Sequence, residues 1–368
     1  MPFLQDLMGI GGESKTTWDP AATREKYNLK LSDAEKEHIL ANFHPLNPTD
    51  LRADGVFEGG GVLGLAFLGA LRCCEEIGIK WDNLAGTSAG AITASLLAAD
   101  YTIDELESIM GELDYTHFLS DEKISIPSDE LGVKAGLSLL LMHAKGVLGQ
   151  YGGDPFQDWI EEKLSAKGID WFANIEHKGR NLKLIASNVT RAEVLVLPDS
   201  LNNEKYKDVA PLGAKNFKVS KAVRMSMSIP LFFEPFNLGD NVVVDGGLVS
   251  NFPLWIFDVK EGERPPCPTF GFRLVDTNPS PVIDSPLSML TSLLKAMMYS
   301  RDRHYLTDKD LGRVINIDLT DIETKATDFE LSNDAKGRLY REGYLSAKQF
   351  FLFNWSWSNH LKLRGFND

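Results

Sequence analysis

From about residue 55 onward, short apolar runs alternate with helical apolar stripes, and that alternation is the chain's main structural signal. Gly55-Val56-Phe57-Glu58 predicts a short strand that ends at a glycine loop. Residues 63–71 are apolar almost all round, as in a helix buried between layers. Asn83-Leu84-Ala85 predicts a second strand. A small-residue helix over 89–99 follows, in which only Ile92, Leu96 and Leu97 are large. Further strands are expected at 182–187, 192–197, 242–244, 269–274 and 313–319, and helices around 155–164, 218–227, 287–299 and 334–353. Strands alternating with helices predict a three-layer α/β/α domain with a largely parallel sheet.

The flanks differ in texture. Residues 1–50 are polar and broken by prolines, with one helix opened by the capping box Ser32-Asp33-Ala34-Glu35 and running to about Phe43. They predict an N-terminal extension packed on the main domain, which spans 51–355. Residues 356–368 are expected to be a C-terminal tail.

Charge and composition narrow the function. Acidic residues outnumber basic ones, 52 against 38, for a net charge of −14. No basic block rises against that balance, which excludes nucleic-acid binding through a phosphate-tracking face and disfavours docking to anionic lipid by charge alone. The three cysteines, Cys73, Cys74 and Cys267, lack disulfide or metal spacing and fit a reducing compartment. No secretory signal or transmembrane-length apolar run is visible. The expected location is cytoplasmic, with peripheral attachment to a membrane or lipid droplet left open. The oligomeric state is not legible.

Three motifs carry chemistry. Gly86-Thr87-Ser88-Ala89-Gly90 can hold a serine on a sharp strand-to-helix turn, beside the positive end of the following helix dipole. Gly59-Gly60-Gly61-Val62-Leu63-Gly64 has two uses. The amides of Gly60 and Gly61, with that of Ala89, can form an oxyanion hole. The same residues also match the G-x-G-x-x-G dinucleotide fingerprint, with Asp82 near the spacing of its ribose acid. The Ser88 turn at the end of the next strand favours the oxyanion reading, and the absence of a Walker lysine excludes an NTP-binding P-loop. Asp245-Gly246-Gly247 puts a carboxylate at the end of an apolar strand, where α/β catalytic groups gather. The order Ser88, Asp245, His304 also fits a hydrolase triad, although His304 lies in a charged run. No His, Cys or acidic cluster has metal-ligand spacing, so neither metal nor cofactor is expected.

In this order the motifs resemble the patatin-like phospholipases, whose pattern is a Gly-rich oxyanion loop, G-x-S-x-G and D-G-[GA]. The segments Ser226-Met227-Ser228-Ile229-Pro230, Asn251-Phe252-Pro253 and Lys325-Ala326-Thr327-Asp328-Phe329 are similar to parts of that family. The resemblance covers roughly residues 50–355. It implies lipid acyl-ester hydrolysis by a Ser88–Asp245 dyad, of phospholipase A or lysophospholipase type. In that scheme Gly59, Gly60, Gly61, Gly64 and Ala89 shape the oxyanion hole, and Gly86, Gly90, Gly246 and Gly247 support the dyad.

Two positions depart from the family pattern. Glu58 stands where many members have Asp, and Leu63 where many have Lys or Arg. Leu63 weakens head-group phosphate recognition and leaves neutral acylglycerols open as substrates. A triad esterase, an NAD(P)-dependent oxidoreductase and a non-catalytic storage or membrane-recruitment protein remain as alternatives. The stretches 137–142 and 287–298 are candidates for a lid or interfacial element.

Overall fold

The structure is a computed structural model that describes residues 17–43, 51–123, 142–275 and 306–366, Thr327 excepted, with isolated positions between 283 and 297. Its strands are β1 (Arg52–Phe57), β2 (Lys80–Thr87), β3 (Gly149–Tyr151), β4 (Asn181–Asn188), β5 (Glu193–Leu197), β6 (Leu231–Phe233), β7 (Phe236–Leu238), β8 (Asn241–Asp245), β9 (Thr269–Val275) and β10 (Val314–Asp318). Eight of them form one mixed sheet in the order β10-β9-β1-β2-β4-β8-β7, with β5 also paired to β4. Neighbours from β10 through β4 are parallel, whereas β5, β7 and β8 join antiparallel. This is the expected mostly parallel α/β sheet flanked by helices.

The register around β4 positions everything that follows. Thr87 of β2 lies opposite Ile185, and Asp245 of β8 lies opposite the next residue, Ala186. Because β5 pairs with these same β4 residues from the other side, β2 and β8 must share one edge of β4. They meet there C-terminus to C-terminus. Asp245 ends its apolar strand as expected, but that strand is antiparallel to β4 and arrives from the opposite direction to β2. The apolar run Val242-Val243-Val244 signals burial, but strand direction is set by distant connections that periodicity does not report.

Successive side chains on a strand face opposite ways. On β1, Phe57 joins the large core, stacked on Phe272 at 4.7 Å and edge-on to Phe67 at 5.5 Å. Its neighbour Val56 faces a smaller cluster with Ala85, Val314, Phe252 and Leu254. The glycine loop continues not directly into an α-helix but through a 3₁₀ turn, Gly61–Leu65, and then the helix Ala66–Ile77. That helix crosses Asn333–Gln349 at backbone contact. A Cβ on Gly69 would lie 1.9 Å from Tyr340 O, and one on Gly343 would lie 1.8 Å from Ala66 O.

The flanks are more structured than expected. The N-terminal extension carries two helices, not one: Pro20–Tyr27, capped by Asp19, and the expected Asp33–Phe43. Arg24 of the first donates to Glu107 at 2.6 Å, and Glu107 also holds Arg72 and accepts from Tyr340 Oη at 2.5 Å. These contacts anchor the helix Ile103–Glu112 from its outer side. In place of a tail, the helix Trp357–Leu363 buries Trp357, His360 and Leu361.

Candidate active site

Ser88 stands between β2 and the helix Ala89–Ala98 with φ 53° and ψ −121°. A positive φ at a non-glycine residue costs on the order of 1–3 kcal/mol and persists only where surroundings enforce it. Here the enforcement is close packing. A Cβ on Gly86 would sit 2.2 Å from the Gly90 carbonyl carbon, and one on Gly90 would sit 2.2 Å from Phe57 O. The strand and helix can approach that closely only because both residues lack side chains. The Ser88 N–H donates to Ser226 Oγ at 2.9 Å, and Ser226 Oγ donates to Ile185 O at 2.6 Å. Ser226 thus links the residue after β2 to β4 at the point where the ends of β2 and β8 meet.

Asp245 is 1% exposed. Its Oδ1 accepts from Gly247 N–H at 2.7 Å, and its own N–H donates to Ser228 O at 2.8 Å. Oδ2 has no hydrogen-bond partner at normal distance, yet the Ser88 hydroxyl is near enough to favour the charged form. Burial pushes the carboxyl up to about 6, against the weaker downward pull of Ser88 and the Gly247 amide. A group in this range is mostly ionised at neutral pH and still basic enough to take a proton.

The glycine loop faces the same junction. Gly59 N–H donates to Asn251 O and Val62 N–H to Ala326 O, both at 3.0 Å. Between them, the N–H groups of Gly60 and Gly61 have no hydrogen-bond partner among the described residues. Gly61 has φ +56°, and a Cβ there would lie 2.0 Å from Ala326 O. Side chains on the other motif glycines would strike Asn251 (Gly59), Leu274 (Gly60), Ala89 (Gly64) or Ile185 O (Gly246). Glu58, 3% exposed, ties the loop to its neighbours by accepting from Leu274 N–H at 2.7 Å and from Asn251 Nδ2 at 3.3 Å.

A narrow cavity opens beside Ser88. Gly61, Gly64, Ala89, Thr93 and half-buried Ile229 and Phe329 are among its lining residues, and most of the others are aliphatic or aromatic. No charged side chain lines it among the described residues. Arg224, 4% exposed, braces the wall from behind by donating to Gly152 O at 2.5 Å and Glu234 O at 2.8 Å, and also to Ser228 Oγ.

The structure therefore brings Ser88, Asp245 and the two glycine turns together, and it adds four residues to which sequence reasoning gave no role: Glu58, Arg224, Ser226 and Asn251. Ser226 and Asn251 lie in segments picked out by family resemblance, but contacts across 138 and 192 residues leave no local pattern. Asp82 is not at the loop. It lies near the start of β2, paired with Arg52 at 2.8 Å, about 16 Å along the strand from Thr87 at the usual rise per residue, which removes the ribose-acid reading. His304 and about two thirds of the stretches 137–142 and 287–298 lie outside the described residues. No group of His, Cys or acidic residues that could hold a metal occurs among the described residues, and no helix among them is long and apolar enough to cross a membrane.

A mostly parallel α/β sheet with a serine on a strand-to-helix turn over an apolar cavity is an architecture of lipid hydrolases. The family model for patatin-like phospholipases matches residues 55–258, over half of the chain, and the chain belongs to that family. It is 36% identical over 311 residues to the uncharacterized protein YqhO of Bacillus subtilis, covering 83% of this chain and 99% of that one. It is 25% identical to triacylglycerol lipase 4 of Saccharomyces cerevisiae, over 65% of this chain and 22% of the lipase. Among solved structures it is similar to VipD from Legionella pneumophila, with a TM-score of 0.47 and 16% identity, covering 82% of this chain and 67% of that chain.

Proposed function

We propose that the protein hydrolyses carboxylic esters of lipids through an acyl-serine intermediate on Ser88, with Asp245 as the base. The observation that carries this reading is the strained φ of Ser88 at the strand junction that also ends in the buried, raised carboxyl of Asp245. Asp245 Oδ2 takes the hydroxyl proton as Ser88 Oγ attacks the acyl carbonyl. The amides of Gly60, Gly61 and Ala89 receive the oxyanion, each such donor typically contributing ~3–4 kcal/mol to the transition state. Protonated Asp245 then gives its proton to the leaving alcohol. In the second half-reaction it deprotonates water, which releases the acid and restores Ser88.

The uncharged cavity lining and the aliphatic Leu63 beside the loop support selection by the acyl chain over selection by a head-group phosphate. Phospholipids, lysophospholipids and neutral acylglycerols all present such a chain. A fluorophosphonate should label the protein on Ser88, and Ser88→Ala should abolish both labelling and hydrolysis of a nitrophenyl ester. Full turnover by that variant would refute the assignment.

A further inference from the structure

The cavity beside Ser88 follows one face of a single helix. Ala89, Ile92, Thr93 and Leu96 line it at spacings of three and four, the period of one helix face. The next positions on that face, Ala99 and Asp100, do not line it. The turn after Ala98 is short, and the helix Ile103–Glu112, which packs against the helix Ala66–Ile77, presents Leu106 to the same cavity. Leu96 and Leu106 are each 1% exposed. Their sequence neighbours Leu97, Tyr101 and Ile103 line a separate, polar surface pocket instead. Leu96 and Leu106 therefore close the deep end.

The distance from Ser88 to this floor follows from helix geometry. Eight residues at the helical rise span about 12 Å. The Leu96 side chain leans toward the helix N-terminus and removes about one residue's rise. An extended alkyl chain advances roughly 1.25 Å per carbon, from C–C bonds of about 1.5 Å at the tetrahedral angle.

Resting on the reading of Ser88 as the acylated residue, we propose that this cavity measures a single linear acyl chain and admits about eight to ten carbons, with Leu96 and Leu106 as its floor. The substrate class is thus an ester of a medium-length acyl group. Longer chains must fold back or leave their ends outside.

The test is the chain-length profile of kcat/KM for nitrophenyl esters from C4 to C16. Below the limit each added methylene should raise kcat/KM by about fourfold, the value of burying one such group, and beyond about ten carbons the profile should turn down. Ile92→Phe, at a half-buried position midway along the channel, should move the optimum to about C4–C6, since Ile92 lies about 6 Å from Ser88 along the axis. Leu96→Ala should move it to longer chains, whereas Leu97→Ala, on the other face of the same helix, should leave it in place. A wild-type profile still rising at C16, or an Ile92→Phe profile identical to wild type, overturns the measuring channel and leaves the esterase intact. Absence of both hydrolysis and Ser88 labelling at every chain length overturns the esterase reading, and the channel with it.

Discussion

Replacing Asp245 by asparagine should abolish activity and make the protein more stable at neutral pH. The carboxyl is fully buried and its pKa is raised from 3.8 to about 6, chiefly by burial. The folded state therefore holds this proton more tightly than the unfolded state does. Where the folded pKa is raised, stability is fullest below the unfolded pKa and declines as pH climbs through the folded one. A shift of about two units corresponds to roughly 3 kcal/mol of native-state destabilisation by pH 7.5.

Asparagine has nearly the same shape, and its Oδ1 can still accept from the Gly247 amide that Asp245 engages at 2.7 Å. Its Nδ2 can donate to the Ser88 hydroxyl. The variant therefore keeps the contacts and loses the titration. Urea unfolding of both proteins, followed by tryptophan fluorescence at pH 4.5 and 7.5, measures the difference. The advantage of Asp245→Asn should grow by about 2 kcal/mol between the two pH values, because about 1 kcal/mol of the full effect is already present at pH 4.5, while ester hydrolysis falls about a hundred- to ten-thousandfold, the range expected for loss of the proposed base. Asp54, also raised to about 6 by burial, is present in both proteins and cancels. An advantage that is constant or shrinks between the two pH values would refute the argument that burial sets this pKa.

Three further outcomes follow from other contacts. Ser226→Ala leaves Ser88 N–H and Ile185 O without their buried bridge, costing about 1–3 kcal/mol of stability, and it should lower kcat with little change in KM; an unchanged kcat would remove Ser226 from the positioning role. Burial, with the cations of Arg364 and Arg313 nearby, pushes His360 down to about 3, so its contribution is complete above pH 6.5 and lost as pH falls. Wild type should therefore lose about 2 kcal/mol between pH 6.5 and 5 relative to His360→Phe, as compared by chemical denaturation at both pH values. Gly61→Ala forces a Cβ to 2.0 Å from Ala326 O at a left-handed φ, and should lower melting temperature and hydrolysis together; a variant as stable and active as wild type would show that the loop is softer than drawn.

The sheet's class and the two glycine turns were legible because both are local properties. Alternating periodicity reports burial, and glycine reports a crowded or left-handed backbone. The head-to-head meeting of β2 and β8 was not legible, since a strand's apolar run reads alike in either direction. The short strands β3, β6 and β7, three residues each, carry too few positions for a period to appear. Ile92 and Leu96 stood out as the large residues in a small-residue helix, but not as a wall, because the space beside them is bounded by helices from elsewhere in the chain. Arg224 gave no warning at all: a buried guanidinium held by backbone carbonyls looks, in sequence, like any surface arginine.

Hanging β2 and β8 from consecutive residues of β4 has a consequence for local opening. Ser88 and Asp245 cannot part unless β4 gives up its edge, so their separation should fluctuate only with the cooperative unit that contains the central sheet. Amides of β4 should therefore exchange with solvent at the slowest rates in the protein. Breathing of the acyl channel falls instead to the helix Ile103–Glu112, whose grip comes from Glu107 and from the N-terminal helix through Arg24. Under the proposed mechanism, a rigid Ser88–Asp245 pair beside a wall that can loosen separates the timing of chemistry from the timing of entry.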